Sequence, residues 1–230
     1  MADSGQFTAT LRLTVGDLKV VHPITVPSAA VPATEIVPAL QGLVNAVVAA
    51  AETGKTISCR KGCGACCRQL VPISRTEGER LLQLIEAMPA ERRQVLTRRF
   101  DAAASAIEAA GLKERGERTD RELSLAYFAL RIPCPFLEDE SCSIHAERPL
   151  VCREYLVTSP PELCAGPSQE GVTPVAVPKV SPAARRLQDD KDDWFPLALL
   201  MDWARTRPRN RRRRVGPEWI QRFVERMSRR

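Results

Sequence analysis

The start of the chain alternates between apolar and polar residues. From Phe7 to Val15 apolar side chains alternate with threonines and an arginine, a period of two that is typical of a half-buried β-strand. Gly16-Asp17 offers a two-residue turn, and Leu18–Val26 predicts a second strand, which Pro23 places at an edge. We therefore predict a β-hairpin within residues 1–30.

The rest of the chain is patterned mainly for helices. Apolar residues recur at three- and four-residue spacing between Glu35 and Thr53, and Ser74 with Glu77 has the spacing of a capping box. Prolines and glycines bound the other helical patterns. Helices are predicted at about 35–53, 75–88, 89–110, 149–155, 193–203 and 217–227, whereas 123–130 fits a helix or an extended run.

These elements predict a mainly α protein of the α+β class, in which a helical core carries cysteine-rich metal-binding loops and a small N-terminal β-hairpin. Pro133-Cys134-Pro135 excludes a regular helix, so a loop is predicted up to Cys142. We divide the chain into a hairpin and linker (1–30), a helical cysteine-cluster domain (31–204), and an arginine-rich tail with a terminal amphipathic helix (205–230).

The positive charge is concentrated at the C-terminal end. Residues 205–230 hold eleven arginines and two glutamates, a charge of +9, so residues 1–204 carry about −3 of the total of +6. This tail is a candidate for a weak contact with nucleic acid or an acidic protein. Its arginine run, Arg205–Arg214, contains no aromatic residue that would stack on a base, so a solvated basic linker is an equal alternative.

The N-terminal sequence favours the cytoplasm. Met1–Val15 has no basic segment followed by an apolar core, as a secretory signal would have. No stretch approaches the ~18 apolar residues of a membrane span, and the longest near the N-terminus, Leu43–Ala51, is broken by Asn45. We expect no membrane contact and a cytoplasmic protein, whose thiols stay reduced instead of forming disulfides.

The eight cysteines form two groups. Four lie in the nine residues from Cys59 to Cys67, and the others follow at wider intervals: Cys134, Cys142, Cys152 and Cys164. Thiolates are soft ligands for zinc, copper(I) or iron–sulfur clusters. Gly62 and Gly64 favour a loop that exposes backbone N–H groups to a metal site, and the adjacent Arg60-Lys61 lowers thiol pKa values.

The number of cysteines leaves the number of sites open. Four thiolates close one zinc site or hold one iron–sulfur cluster, so eight allow two sites or one site with spare thiols. Adjacent Cys66 and Cys67 cannot easily share one ion, so we expect them to face different ways. Both groups are predicted to converge at one end of the helical core.

Other residues flank the cysteines at definite positions in the sequence. In order, they form the pattern Cys59, Cys63, Cys66, Cys67, Cys134-Pro135-Phe136-Leu137, Cys142, Ile144, Arg148-Pro149, Cys152-Arg153 and Tyr155. This pattern resembles the YkgJ-type cysteine-cluster (CxxCxxCC) family over about residues 57–157, which leaves Cys164 outside. The resemblance implies that zinc or iron is chelated by the matching cysteines, Cys59, Cys63, Cys66, Cys67, Cys134, Cys142 and Cys152. The family usually has an aromatic residue at position 145, where this chain has His145.

Three functions remain open. The first is a metal-binding protein that chelates iron, as an iron–sulfur cluster, or zinc. The second is an iron–sulfur-dependent protein-modifying enzyme, because the same domain occurs in flagellin lysine methylases. The third is a zinc-stabilised adaptor for nucleic acid or protein. Cys59, Cys63 and Cys66 also have the spacing of radical S-adenosylmethionine enzymes, but no alternating strand–helix repeat follows them.

Three further residues near the cysteines are candidates. Arg148 and Arg153 are predicted to bind a cofactor or substrate anion, or else to pair with Glu138, Asp139, Glu140 or Glu154. His145 has a Cys-x-x-His spacing from Cys142 that zinc would accept, or it is an ordinary histidine at a helix start.

Overall fold

The fold is known from a computed structural model, which describes residues 5–114, 116–166, 170–189, 191–207 and 212–227. Helices and short antiparallel strands confirm the predicted α+β class. The α-helices in these ranges are α1 Val37–Glu52, α2 Arg75–Glu86, α3 Ala90–Ala109, α4 Asp120–Ala129, α5 Leu150–Arg153, α6 Ser181–Arg185, α7 Leu200–Thr206 and α8 Gly216–Met227. The strands are β1 Gln6–Val15, β2 Leu18–Pro27, β3 Ala30–Val31, β4 Pro72–Ser74, β5 Leu137–Glu138, β6 Ser141–Cys142, β7 Trp194–Pro196 and β8 Arg214–Val215.

The N-terminal hairpin is present as predicted. Strands β1 and β2 pair along their whole length, and the turn between them uses Gly16 at a φ of 58°. A positive φ at this position suits the tight turns that match the twist of a hairpin. Val20, Ile24 and Val26 lie on the buried face of β2, which gives the hairpin a surface to pack. The other sheets pair β3 with β8, β4 with β7, and β5 with β6.

The first core lies between the hairpin, α1 and α8. Helix α1 buries Leu40, Val44 and Val47 at the spacing of one helix face. Helix α8 adds the fully buried Trp219 and Phe223, and the Trp219 Nε1–H donates to the Val31 carbonyl at 2.9 Å. This core takes side chains from all three predicted regions, so whether each folds on its own stays a prediction.

The helical stretch Ala33–Glu52, which contains α1, is long and apolar enough to cross a membrane by length and composition. The prediction that no stretch reaches this threshold is therefore wrong. Half of its most apolar window is buried inside the fold, as in the core helix of a packed protein. The expected absence of membrane contact stays a prediction.

Two further cores pack α2, α3, α4 and α7 around the segment that carries the later cysteines. Phe100 of α3 meets Phe136 edge to face, with ring centroids 5.4 Å apart. Helix α4, where the sequence pattern was ambiguous, begins at a capping box formed by Thr119 and Glu122. It buries Leu123 and Tyr127, which fixes its orientation.

The prediction of a helix over 193–203 is wrong for the residues before Leu200. Trp194–Pro196 is strand β7, and α7 begins only at Leu200 after a short 3₁₀ turn. Phe195 precedes a proline, and a residue in that position is disfavoured in the α conformation. The backbone instead pairs with β4, and Phe195 stacks on Trp203 with ring centroids 4.5 Å apart.

Candidate metal centre

The two cysteine segments, residues 59–67 and 134–164, are held together by backbone contacts. The Cys134 N–H donates to the Cys67 carbonyl at 2.7 Å. Gly64 approaches the turn after β5 so closely that a Cβ there would lie 2.6 Å from the Glu140 carbonyl oxygen. Arg68 forms a two-point ion pair with Glu140, at 2.6 and 3.0 Å. These contacts hold the two segments together close to the cysteines of each.

The predicted loop from Cys134 to Cys142 contains a minimal hairpin. Strands β5 and β6 are joined by Asp139 and Glu140, both in the left-handed region, at φ values of 47° and 53°. Two successive positive φ values are the signature of a type I′ turn. Glu138 accepts from Arg99 of α3 at 2.6 Å, which anchors this hairpin on the helical layer.

A cavity of about 460 Å³ lies between these segments, α1 and α5. Seven of the eight cysteines line it, and they are the seven that were predicted as ligands: Cys59, Cys63, Cys66, Cys67, Cys134, Cys142 and Cys152. All eight cysteines are free thiols. The remaining wall is largely apolar, with Val48, Ile57, Leu70, Val71, Phe136, Ile144 and Leu197. Within the described ranges, no three histidine, cysteine or acidic side chains form a group that holds an ion as they stand.

Several of the cavity thiols have raised pKa values, which favour their protonated form. Burial raises the pKa of Cys134 to about 12, and burial with the neighbouring thiols of Cys134, Cys66 and Cys142 raises the pKa of Cys152. A hydrogen bond with Cys67, followed by burial, raises the pKa of Cys66. After burial, the thiol of Cys66 also contributes to the raised pKa values of Cys59, Cys134, Cys142 and Cys152.

Backbone N–H groups act against burial on Cys59, Cys134 and Cys142, because a hydrogen bond to the sulfur lowers the pKa of the thiol. The Val157 N–H donates to the Cys59 Sγ at 3.4 Å. The N–H of Phe136 donates to the Cys134 sulfur and the N–H of Ile144 to the Cys142 sulfur, each two residues further along the chain. Such bonds favour the thiolate, because they place a partial positive charge at the sulfur.

Arg148 and His145 also line the cavity. The Arg148 Nη1 lies 3.1 Å from His145 Nδ1 and donates to the His145 carbonyl at 2.8 Å. Because a guanidinium only donates, Nδ1 accepts and the proton of the neutral imidazole lies on Nε2. Burial and the charge of Arg148 lower the pKa of His145, which favours that neutral form. This arrangement makes His145 a hydrogen-bond donor instead of a ready ligand.

Arg153 lies outside the cavity lining, and it holds the loop that carries Arg148. It is buried, and it donates to the carbonyl of Arg148 at 3.0 Å, to the carbonyl of Ala146, and to Asn45 Oδ1 of α1 at 3.0 Å. Burial, followed by the nearby charge of Arg148, lowers the pKa of Arg153 to about 10.

Three of the four acids proposed as alternative partners of the two arginines have other partners. Glu138 binds Arg92 and Arg99, Glu140 binds Arg68, and Glu154 accepts from Val180 and Ser181. In the ranges that the structure covers, neither Arg148 nor Arg153 has a carboxylate partner, so the alternative of ion pairing is wrong.

Several contacts around the cavity were not predicted from the sequence. Tyr155 lines it and donates to the buried thiol of Cys164, while Gln69 hydrogen-bonds to Tyr155. Glu77, seen only as a helix cap, also accepts from the Leu150 N–H at 2.8 Å and so positions α5 with Cys152. The capping box was a visible signal, but its link to a residue 73 positions away was not.

A comparison with protein families confirms the resemblance of the cysteine-rich part. A family model named CxxCxxCC and described as "Putative zinc- or iron-chelating domain" matches residues 58–169. The match covers slightly less than half of the chain, and unlike the predicted limit of about 157 it extends past Cys164. No curated protein and no solved structure matches the chain. The family match supports metal binding by this part of the protein.

Proposed function

We propose that the two cysteine segments together hold an iron–sulfur cluster. The observation that carries this proposal is the lining of one cavity by seven thiols from both segments. Four thiolates complete a zinc site, whereas the cavity offers more donors and a volume of about 460 Å³. Backbone N–H groups directed at cysteine sulfurs also recur around iron–sulfur clusters, where they influence the reduction potential.

The surroundings fit the needs of such a group. A bound iron–sulfur cluster supplies electron transfer at a potential set by its charge, hydrogen bonds and burial. The N–H groups of Val157, Phe136 and Ile144 would offset thiolate charge, and Arg148 adds a positive charge that lowers the pKa of Cys59, Cys66 and Cys142 against the effect of burial.

The metal is identified by purifying the full-length protein without oxygen and measuring iron, zinc and acid-labile sulfide. The proposal expects a brown protein with iron and sulfide in comparable amounts. A colourless protein with zinc and no sulfide would contradict it and would favour a structural zinc site. The cytoplasmic location, in which such thiols stay reduced, remains a prediction.

Cys164 is expected to be dispensable for the metal. Its thiol is buried and bonded to Tyr155, but it does not line the cavity. Cys164→Ala should therefore keep most of the metal, whereas Cys63→Ala should not. Equal loss in both variants would make Cys164 a ligand, in line with its place inside the family match.

A nucleic-acid contact through the arginine-rich region has less support. Arg205 pairs with Asp101 and Asp202, Arg207 lies over the Trp203 ring, and Arg214 lies over the Trp219 ring. These arginines already have partners in the fold, and residues 208–211 lie outside the described ranges. Salt-sensitive binding of a random DNA duplex to the full-length protein would support the adaptor alternative.

A further inference from the structure

The charged groups on the cavity wall are mostly cations. Arg60, Lys61 and Arg148 line it, against the single carboxylate of Glu52. Among the residues that the structure describes, none of the three cations forms an ion pair. Arg60 and Lys61 are exposed, whereas Arg148 is half-buried. A partly buried guanidinium without a carboxylate partner is costly, unless a ligand or the thiolates supply the missing negative charge.

The guanidinium of Arg148 has one edge free. Its Nη1 is used by the ring and the carbonyl of His145. No other described group bonds to its Nε or Nη2. Those two nitrogens lie side by side on one edge of the planar group, and their N–H bonds are spaced to meet both oxygens of one carboxylate.

The backbone of the loop that carries Arg148 is held by hydrogen bonds from Arg153 and from helix α1. The carbonyl of Arg148 accepts from Arg153 at 3.0 Å and from Gln41 Nε2 at 3.4 Å. Arg153 is itself bonded to Asn45, and the Glu147 carbonyl accepts from Gln41 at 3.2 Å. Helix α1 therefore holds the loop in place, and a fixed donor loses little entropy when it binds a ligand.

The cavity has the size and composition of a small-molecule site. The whole cavity, about 460 Å³, lies within the roughly 300–1,000 Å³ of typical ligand pockets, and a bound cluster would take part of this volume, so only a small ligand fits beside it. Apolar side chains such as Val48, Ile57 and Leu156 form much of the wall, and a few polar groups, among them Tyr155, stand between them. Such walls suit the apolar body of a ligand whose charged end is held at one point.

We propose that the cavity binds a small carboxylate with an apolar body beside the metal centre, with its carboxylate on the Nε–Nη2 edge of Arg148. Arg153 is a positioning residue, because it holds the backbone of Arg148 through the Arg148 carbonyl. The inference rests on the proposed function for the neighbouring cluster. The free edge of Arg148 is nevertheless present whether or not a cluster is bound. The rival account is that Arg148 serves only as a counter-charge to the thiolates.

The experiment titrates the full-length, metal-loaded protein with hexanoate and with the neutral hexanamide by calorimetry. We expect hexanoate to bind, and hexanamide to bind at least ~10-fold more weakly, because hydrogen bonds to a charged partner are strong. Arg148→Gln should weaken hexanoate by a similar factor. Arg12→Gln removes the same charge from the exposed face of the hairpin and should have no effect.

Arg148→Lys separates the two accounts, because lysine keeps the charge and loses the two-point edge. The proposal expects this variant to keep its iron and sulfide but to bind hexanoate at least several-fold more weakly. Full hexanoate affinity in Arg148→Lys, equal binding of hexanoate and hexanamide, or no binding by the unaltered protein would each overturn it. Absence of iron and sulfide from the unaltered protein would contradict only the proposal of an iron–sulfur cluster. The same titration would still decide whether Arg148 binds a carboxylate.

Discussion

The two sides of α1 face opposite kinds of environment. One side, with Leu40, Val44 and Val47, is fully buried in the core shared with the hairpin and α8. The other side, with Asn45 and Val48, borders the cysteine cavity. The first environment is filled by the chain itself, whereas the second is an open space surrounded by thiols.

This difference separates stability from binding. Apolar burial in the first core supplies free energy of folding without any ligand. In the cavity, burial raises the pKa values of Cys59, Cys134 and Cys152, so each holds its proton more tightly, and a metal has to displace these protons in order to bind. Substitutions in the core should therefore lower the stability without changing the metal content per folded chain. Substitutions around the cavity should lower the metal content, with or without a loss of stability.

Trp219→Ala should have the largest effect on stability. The side chain is fully buried in the first core and bonds to the Val31 carbonyl, so we expect a loss of ~3–5 kcal/mol in the free energy of unfolding. Urea denaturation measures this loss. Metal content of the protein that remains folded should equal that of the unaltered protein.

Phe7→Ala is the control for this prediction, because Phe7 is an aromatic residue of the hairpin with 44% of its surface exposed. It should cost less than ~1 kcal/mol, as surface substitutions usually do. If folded Trp219→Ala protein loses metal, the core and the cavity are not independent and the comparison fails.

Glu77→Ala should have the next largest effect, of about 2–4 kcal/mol. Its carboxylate accepts from the Ser74 N–H, the Ser74 hydroxyl and the Leu150 N–H, and its removal leaves buried donors without partners. Because Leu150 lies two residues before Cys152, metal affinity should fall as well. Chelator competition measures the affinity and thermal unfolding the stability.

Glu122→Ala tests whether the cap alone explains such a loss. Glu122 forms the same capping box with Thr119 at the start of α4, but it is exposed and makes no bond to the cysteine segments. It should cost about 0.5–1 kcal/mol and leave metal affinity unchanged. Equal effects of the two substitutions would show that Glu77 does not link α2 to the cavity.

Gly64→Ala should have a smaller effect on stability, about 1–3 kcal/mol, with a clear loss of metal affinity. The new Cβ would lie 2.6 Å from both the Glu140 carbonyl oxygen and Leu137, so the two cysteine segments must move apart. Gly54→Ala is the control, because its φ of 74° strains an alanine but nothing lies within 4 Å. Equal metal affinity in both variants would show that the segments need not be in contact.

The elements with strong local signals were predicted from the sequence. The period-two pattern gave the hairpin, and the box of Ser74 and Glu77 gave the start of α2. The helix predicted from residue 193 is wrong over 194–196, because the strand pairing of Phe195 with Ile73 joins residues over 100 positions apart. Local patterns carry no information about such a pairing.

The candidate site was predicted to a similar extent. Cysteine spacing and the family resemblance indicated which thiols to group, and the structure places all seven around one cavity. The contacts that shape it, such as the hydrogen bond from Arg153 to Asn45, join residues far apart in the sequence and arise only from the packing of α1 against α5. That these thiols bind a metal stays our proposal.

The most direct test of the account measures iron and sulfide per chain in Cys63→Ser and Cys134→Ser, each purified without oxygen. One cysteine comes from each segment, and the backbone bond from Cys134 to Cys67 brings the segments together at one cavity. The account predicts that each single substitution removes most of the iron and sulfide. Full occupancy in Cys134→Ser would contradict it, because the metal would then be held by the first segment alone.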